Sequence, residues 1–176
     1  MDLHEAIMGR RSVRAFKPDP IPESDIKKIL TAAIWAPSAG NLQSWEFILI
    51  KDEERKKALS EASYGQEHVY KAPLVIAACA NKKRSSSRYG TRGSELYCIQ
   101  DTAAAIQNML LMAYSLGYGT CWVGAFDENK VYKILKCPKH VRPVALIPIG
   151  KPDEHPSPPA RMPLEKVVHN ETFEGE

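Results

Sequence analysis

No two of the four cysteines, Cys79, Cys98, Cys121 and Cys137, stand close enough to form a zinc knuckle or a redox dithiol. Three of them lie among apolar neighbours, so reduced and mostly buried thiols in a cytoplasmic protein are expected. The opening MDLHEAIMGRR has no apolar core of signal-peptide length, and no run approaches a membrane span. Net charge is low as well. At +3 over 176 residues, with Lys and Arg dispersed rather than gathered in a stripe, the composition points away from nucleic acid. His4, His68, His140, His155 and His169 lie far apart and lack metal-ligand spacing, so they read as surface or structural residues and no metal site is expected. There is no repeat and no low-complexity tract. The chain therefore reads as one domain over 1–176, long enough to bury its own core.

What is present is a succession of apolar patterns. Residues 2–9 place Leu3, Ala6 and Ile7 at helical spacing ahead of a basic stretch. Ser24 is read as the cap of a second helix carrying Ile26, Ile29, Leu30, Ala33 and Ile34, with Pro37 ending it. Trp45–Ile50 reads as a strand, and the charged stretch from Lys51 to Lys57 opens another helix. Residues 73–80 (PLVIAACA) form an unbroken apolar run of the kind that suits a strand covered on both faces. Residues 81–94 (NKKRSSSRYGTRGS) are polar and read as a mobile loop or lid.

From Asp101 to Leu116 the chain is apolar on nearly every side, which predicts a buried central helix in contact with a second subunit. Gly117 and Gly119 stop that helix, and Thr120–Gly124 reads as a short strand. A small helix around 127–136 and a last core strand over 142–150 follow. The stretch 151–163 holds five prolines and cannot be helical, so 151–176 is expected to be an extended arm lying on a partner. Helices and strands are mixed without strict alternation, which gives the class α+β.

Three constellations can carry chemistry. Arg10, Arg11, Ser12 and Arg14 put three guanidinium forks and a hydroxyl within five residues, a set that fits phosphate oxygens and equally describes a solvated basic loop. In 36–45 (APSAGNLQSW), the amides of Asn41 and Gln43 can read a heterocycle edge or ribityl hydroxyls, and the same residues also make ordinary turns. In 117–124 (GYGTCWVG), glycines let backbone approach a flat ligand, or cap a helix before a strand. No nucleophile and base arrangement accompanies them. Cys121, beside Trp122 and Val123, reads as a packed thiol.

Taken in order, Arg-Arg-Ser-x-Arg at 10–14, Ala-Pro-Ser-Ala-x-Asn-x-Gln-x-Trp-x-Phe at 36–47, Ala105–Leu111 running into Leu116-Gly117-x-Gly119-Thr120-Cys121-Trp122, and Arg142-Pro143-Val144-Ala145 resemble the nitroreductase-like flavoprotein family over nearly the whole chain. The resemblance implies a central mixed or antiparallel sheet flanked by helices, in an intertwined homodimer with two FMN sites at the interface. It implies that Arg10, Arg11 and Ser12 hold the FMN phosphate and that Arg161 returns to it from the tail. Arg14 would lie near the pyrimidine end of the ring and steady the reduced flavin. Pro37, Ser38, Asn41 and Gln43 would approach from the other subunit, and Val123 and Gly124 would present backbone toward the flavin N5.

The implied activity is ping-pong electron transfer from NADH or NADPH through FMN to a nitroaromatic, quinone or similar small-molecule acceptor, with no side-chain acid or base. Two readings stand beside it: a specialised enzyme of the same fold, such as a reductive dehalogenase or flavin-destroying type, and a flavin-binding module without turnover. One departure is Ser44, where the family often has Pro before the Trp, which would loosen the turn beside the flavin.

Overall fold

The computed structural model describes residues 1–173. Helix α1 (Leu3–Gly9) is opened by a capping box, in which Asp2 accepts from the Glu5 N–H and Glu5 accepts from the Asp2 N–H. Helix α2 (Glu23–Ile34) starts from Pro22, whose φ of −56° already suits a helix, and no side chain caps it. Ser24 therefore lies inside the first turn instead of capping it. The helix stops before Pro37, since the residue preceding a proline disfavours the helical region.

Strands β1 (Trp45–Ile50), β2 (Leu74–Asn81), β3 (Gly119–Thr120) and β4 (Val141–Gly150) form one antiparallel sheet in the order β1-β2-β4-β3. Every residue of β2 is buried, as its unbroken apolar run predicts. Alternate β2 side chains go to opposite faces. Leu74, Ile76 and Ala78 pack with Ile29 of α2 and with Ile106 and Met109 of α6 (Cys98–Ser115). Val75, Ala77 and Cys79 pack with Leu59 of α3 (Glu53–Ala62), Val69 of α4 (Glu67–Lys71) and Val131 of α7 (Glu128–Ile134). Helices thus cover both faces of the α+β fold. No helix among the described residues is long and apolar enough to cross a membrane.

The largest departure from the sequence reading is at 81–94. This stretch is helix α5 (Lys82–Arg92), followed by a wider turn over Gly93–Tyr97, and is not an open loop. Serine costs a helix only about half a kcal/mol per residue relative to alanine, so long-range anchors can decide. Asn81 caps the helix by accepting from the Arg84 N–H at 3.0 Å, and the Arg84 guanidinium donates to the Gln43 carbonyl at 2.6 Å and to Glu46. Gly93 lies so close to the Ser85 carbonyl that an added Cβ would meet its oxygen at 2.5 Å.

Helix α6 ends at Gly117, whose φ of +80° takes the chain out of the helix. The tail, predicted to lie on a partner, first runs along its own chain. Lys17 donates to the Lys151 carbonyl, Asp153 donates to the Ala15 carbonyl, and Phe16 bridges to Pro152. Beyond Arg161 it exposes Met162, Leu164, Val167, Val168 and Phe173.

Candidate active site

The basic motif follows α1 directly and is fixed to the sheet edge. Ser12 bridges to Thr120, and the Val13 N–H donates to the Thr120 carbonyl at 2.9 Å. A Cβ on Gly119 would meet Val13 at 2.8 Å, so a glycine is what allows this approach. The tail completes the site from the other side. A cleft of about 350 Å³ is lined by Arg10, Arg11, Ser12, Arg14, Arg161 and the proline-rich 156–159 stretch.

Among the described residues no carboxylate lines this cleft. Burial holds the Arg10 guanidinium below its ordinary range, and the positive charges of Arg161 and Arg11 push it further down. Clustered cations favour a bound anion, and a phosphate matches their forks and the Ser12 hydroxyl. The residues present therefore fit the phosphate of FMN.

Arg11 plays a different part from its neighbours. Its guanidinium turns back to donate to the carbonyls of Met8 at 2.6 Å and Arg10 at 2.9 Å, bracing the C-terminus of α1. Both bonds come from Nη1, so its Nε and Nη2 donors stay free where Arg11 lines the cleft. Arg14 is exposed at the cleft mouth, and its backbone N–H is held by the Glu154 carboxylate.

The 121–124 segment runs beside this cleft. Cys121 is buried next to Ser12, and burial pushes its thiol up despite the nearby Arg14 and Arg10 charges, consistent with a packed thiol. Val123 exchanges both backbone hydrogen bonds with Leu146, each at 2.9 Å. That corrects its expected part: the Val123 N–H is already committed to the sheet, and exposed Gly124 is left to offer backbone.

The 38–43 turn is held by its own hydrogen bonds. Asn41 and Gln43 both adopt positive φ, at 55° and 51°, which costs a non-glycine residue of order 1 kcal/mol. Ser38 Oγ accepts from the Gln43 N–H at 3.0 Å, and the Gln43 amide donates to Asn41 Oδ1 at 3.3 Å. Exposed Pro37 precedes the turn.

Asp101, which the sequence reading did not single out, holds the turn from below. One carboxylate oxygen accepts from the Ala39 N–H at 3.0 Å and the other from the Ser44 hydroxyl at 2.6 Å. Ser44 is fully buried, so it ties the turn down instead of loosening it. An available signal was that Asp101 is the one acidic residue within the apolar α6 sequence.

The structure brings together Arg10, Ser12, Arg14, Arg161 and the 121–124 segment, and keeps the 38–43 turn apart from them. Trp45, next to the turn, is in register with Ala80 and through it with Arg142, whereas Thr120 is in register with Ile149. The two motifs occupy opposite corners of the sheet, separated by roughly 23 Å along the strands and about 14 Å across them.

His68 lies under the same region. It is buried, its Nε2 has no hydrogen-bond partner among the described residues, and burial followed by the Arg14 charge pushes its imidazole below the ordinary range. An unfolded histidine titrates near 6.5, so the unfolded chain binds the proton first as pH falls. Stability is expected to decline below about pH 6.5 until the lowered folded-state value is passed. Melting temperatures of wild type and His68→Gln across pH 5 to 8 test this, and parallel curves for the two proteins would refute it.

An antiparallel sheet covered on both faces, with an arginine-lined cleft at its edge and a strained polar turn at the far corner, defines an α+β protein whose edge cleft fits an anion. The chain belongs to the nitroreductase family, whose model matches residues 7–68 and 61–151. It is 34% identical over 195 residues to a protein named NADH dehydrogenase from Thermus thermophilus, covering 96% of this chain and 95% of that one. It is 33% identical over 177 residues to an oxygen-insensitive NADPH nitroreductase from Salmonella typhimurium, covering 97% and 74%. Its fold matches the NADPH:FMN oxidoreductase of Vibrio harveyi, solved in complex with NAD+, with a TM-score of 0.90 at 25% identity over 97% of this chain and 77% of that one.

Proposed function

We propose that this chain is an FMN-dependent NAD(P)H oxidoreductase that works as a cytoplasmic homodimer and passes electrons to a nitroaromatic, quinone or similar small acceptor. The observation that carries the reading is the arginine-lined cleft in which Arg10 and Arg161 repel one another beside Ser12. Membership of the nitroreductase family and the names of the relatives supply the cofactor and the donor.

FMN, when bound, supplies a hydride acceptor and donor that can serve the nicotinamide and the acceptor in turn. The protein's own groups bind and orient. Arg10, Ser12 and Arg161 hold the phosphate, and Arg14, one loop residue further on, places a positive charge at the pyrimidine end of the ring. Gly124 offers backbone on the other edge. With no side-chain acid or base required, a single ligand face can serve donor and acceptor alternately.

The separation of the motifs supports a site shared between subunits. One chain cannot bring its own 38–43 turn and its own arginine cleft to one mononucleotide, whereas two antiparallel copies can. The exposed apolar surface agrees with this. Leu3, Ile7 and Met8 on α1, Ile34 and Trp35 at the end of α2, and the tail beyond Arg161 lack cover, with Trp35 at 80% exposure and Phe173 at 83%. The domain then acts as one FMN-binding unit over 1–176, with 151–176 as its arm.

The purified protein is expected to be yellow, with FMN close to one per subunit, and to sediment as a dimer. Mixing Arg10→Ala chains with Asn41→Gly chains should restore one intact site per heterodimer, because each lesion then falls in the same second site. Glycine keeps the positive φ at position 41 accessible. Activity of the mixture no greater than that of either parent, or a fully active monomer, would rule out the shared site.

A further inference from the structure

The arginine cleft leaves α5 and the turn after it without a role, although they carry the most concentrated charge near the 38–43 turn. Lys82, Lys83, Arg84, Arg88 and Arg92 face one carboxylate of their own segment, Glu95. Lys82 pairs with Glu95 at 2.8 Å, and Arg84 pairs with Glu46 while bracing the Gln43 and Trp45 carbonyls. Arg88 and Arg92 are exposed and, among the described residues, have aromatic neighbours in place of carboxylates.

The geometry of these two is regular. Arg88 lies 5.5 Å from the ring centre of Tyr89, and Arg92 lies 5.3 Å from that of Tyr97 while its Nε donates to the Tyr97 hydroxyl at 2.9 Å. The two tyrosines meet edge to face, with centres 5.2 Å apart. Gly90, at φ 53° and ψ −138°, breaks the helix between the pairs, a conformation essentially closed to other residues, and the contact of the two rings joins them. A guanidinium stacked on an aromatic face loses motional freedom and keeps its N–H edge available. Two cations carried on touching rings, with no carboxylate paired to either among the described residues, present N–H donors to an anion.

Their place decides what they serve. A Cβ on Gly40 would meet the Tyr89 hydroxyl at 2.6 Å and Arg88 Nη1 at 2.9 Å, so the cluster packs directly on the turn that carries Asn41 and Gln43. If that turn faces the partner's flavin, as proposed above, the cluster stands over the same ring and beside whatever stacks on it. The inference rests on that shared-site reading.

We propose that Arg88 and Arg92, held by Tyr89 and Tyr97, form a subsite for a negatively charged group on the substrate stacked against the flavin. Two sources share this chemistry: the ribose phosphate that distinguishes NADPH from NADH, and an acidic substituent on an aromatic acceptor. Arg84 and the Gly90 break are positioning elements for the subsite.

The test compares FMN-loaded wild type with the Arg88→Gln/Arg92→Gln double variant. Where the phosphate is the source, the ratio of kcat/KM for NADPH over NADH falls about tenfold or more, and the affinity for NADP+ relative to NAD+, measured by calorimetry without turnover, falls alongside it. Where the acceptor is the source, those ratios hold and the preference for a sulfonated over a neutral naphthoquinone falls instead. Gly90→Ala should move the same ratio in the same direction. Unchanged ratios in every arm, at normal flavin content, overturn the subsite alone. Absence of flavin from the wild-type protein overturns the shared-site reading with it.

Discussion

Converting Arg10 and Arg161 together to alanine is expected to strip the protein of FMN, weakening binding by a factor of a hundred or more. A hydrogen bond to a charged group contributes about 1.5–3 kcal/mol, so each single change should cost roughly 10-fold to 150-fold in affinity. The two costs will not add fully, because the guanidinium groups repel one another and loss of one relieves the other. That repulsion gives the experiment a second sign. In the apoprotein, Arg10→Ala removes a partly buried cation held beside Arg161 and Arg11, so melting temperature should hold steady or rise. Flavin affinity and apoprotein stability thus move in opposite directions, which a general packing defect would not produce. Fluorescence titration of apoprotein with FMN checks the first and thermal melts the second. An FMN affinity unchanged in the double variant would remove the phosphate site from Arg10 and Arg161.

The parts of the fold legible in the sequence are those whose signal is local. The apolar run over 73–80, of strand length, reads as a strand with two covered faces, and the long apolar pattern of α6 reads as a core helix. Helix α5 was hidden because its sequence is polar and rich in serine, and beside the local Asn81 cap and the seat of Ser85 under Gly93 it is held by the distant grip of Arg84 on Gln43. The site divides in the same way. Arg10, Ser12 and Arg14 announce a phosphate by composition. Nothing in the string Arg-Arg says that the second side chain turns back onto Met8 and Arg10. Likewise Val123 reads like its neighbours until strand β4 takes both its backbone groups. Residue type shows what a group can do, and long-range partners decide which of those capacities is left free.

Asp101 shows how much can depend on such a partner, and Asp101→Ala is expected to destabilise the protein by about 2–4 kcal/mol while also loosening FMN binding. The substitution leaves the Ala39 N–H and the Ser44 hydroxyl without their acceptor, and Ser44 is fully buried. An unsatisfied buried polar group costs about 1–3 kcal/mol, and the half-buried Ala39 N–H adds a smaller cost to that of Ser44. The same bonds hold the turn in which Asn41 and Gln43 keep positive φ, so their loss lets those residues relax away from the flavin side. Asp101→Asn should recover part of the loss, since its carbonyl oxygen can still accept from Ala39 and the Ser44 hydroxyl can accept from the amide. Ser44→Ala alone should also destabilise, because it leaves a buried carboxylate oxygen unpartnered. Combined with Asp101→Ala it should cost less than the sum of the two single changes, as the second removal discards a group already orphaned. Denaturant unfolding of the four proteins measures this coupling directly. Strictly additive costs, or an Asp101→Ala protein with wild-type stability and FMN affinity, would show that the turn holds its shape without the carboxylate.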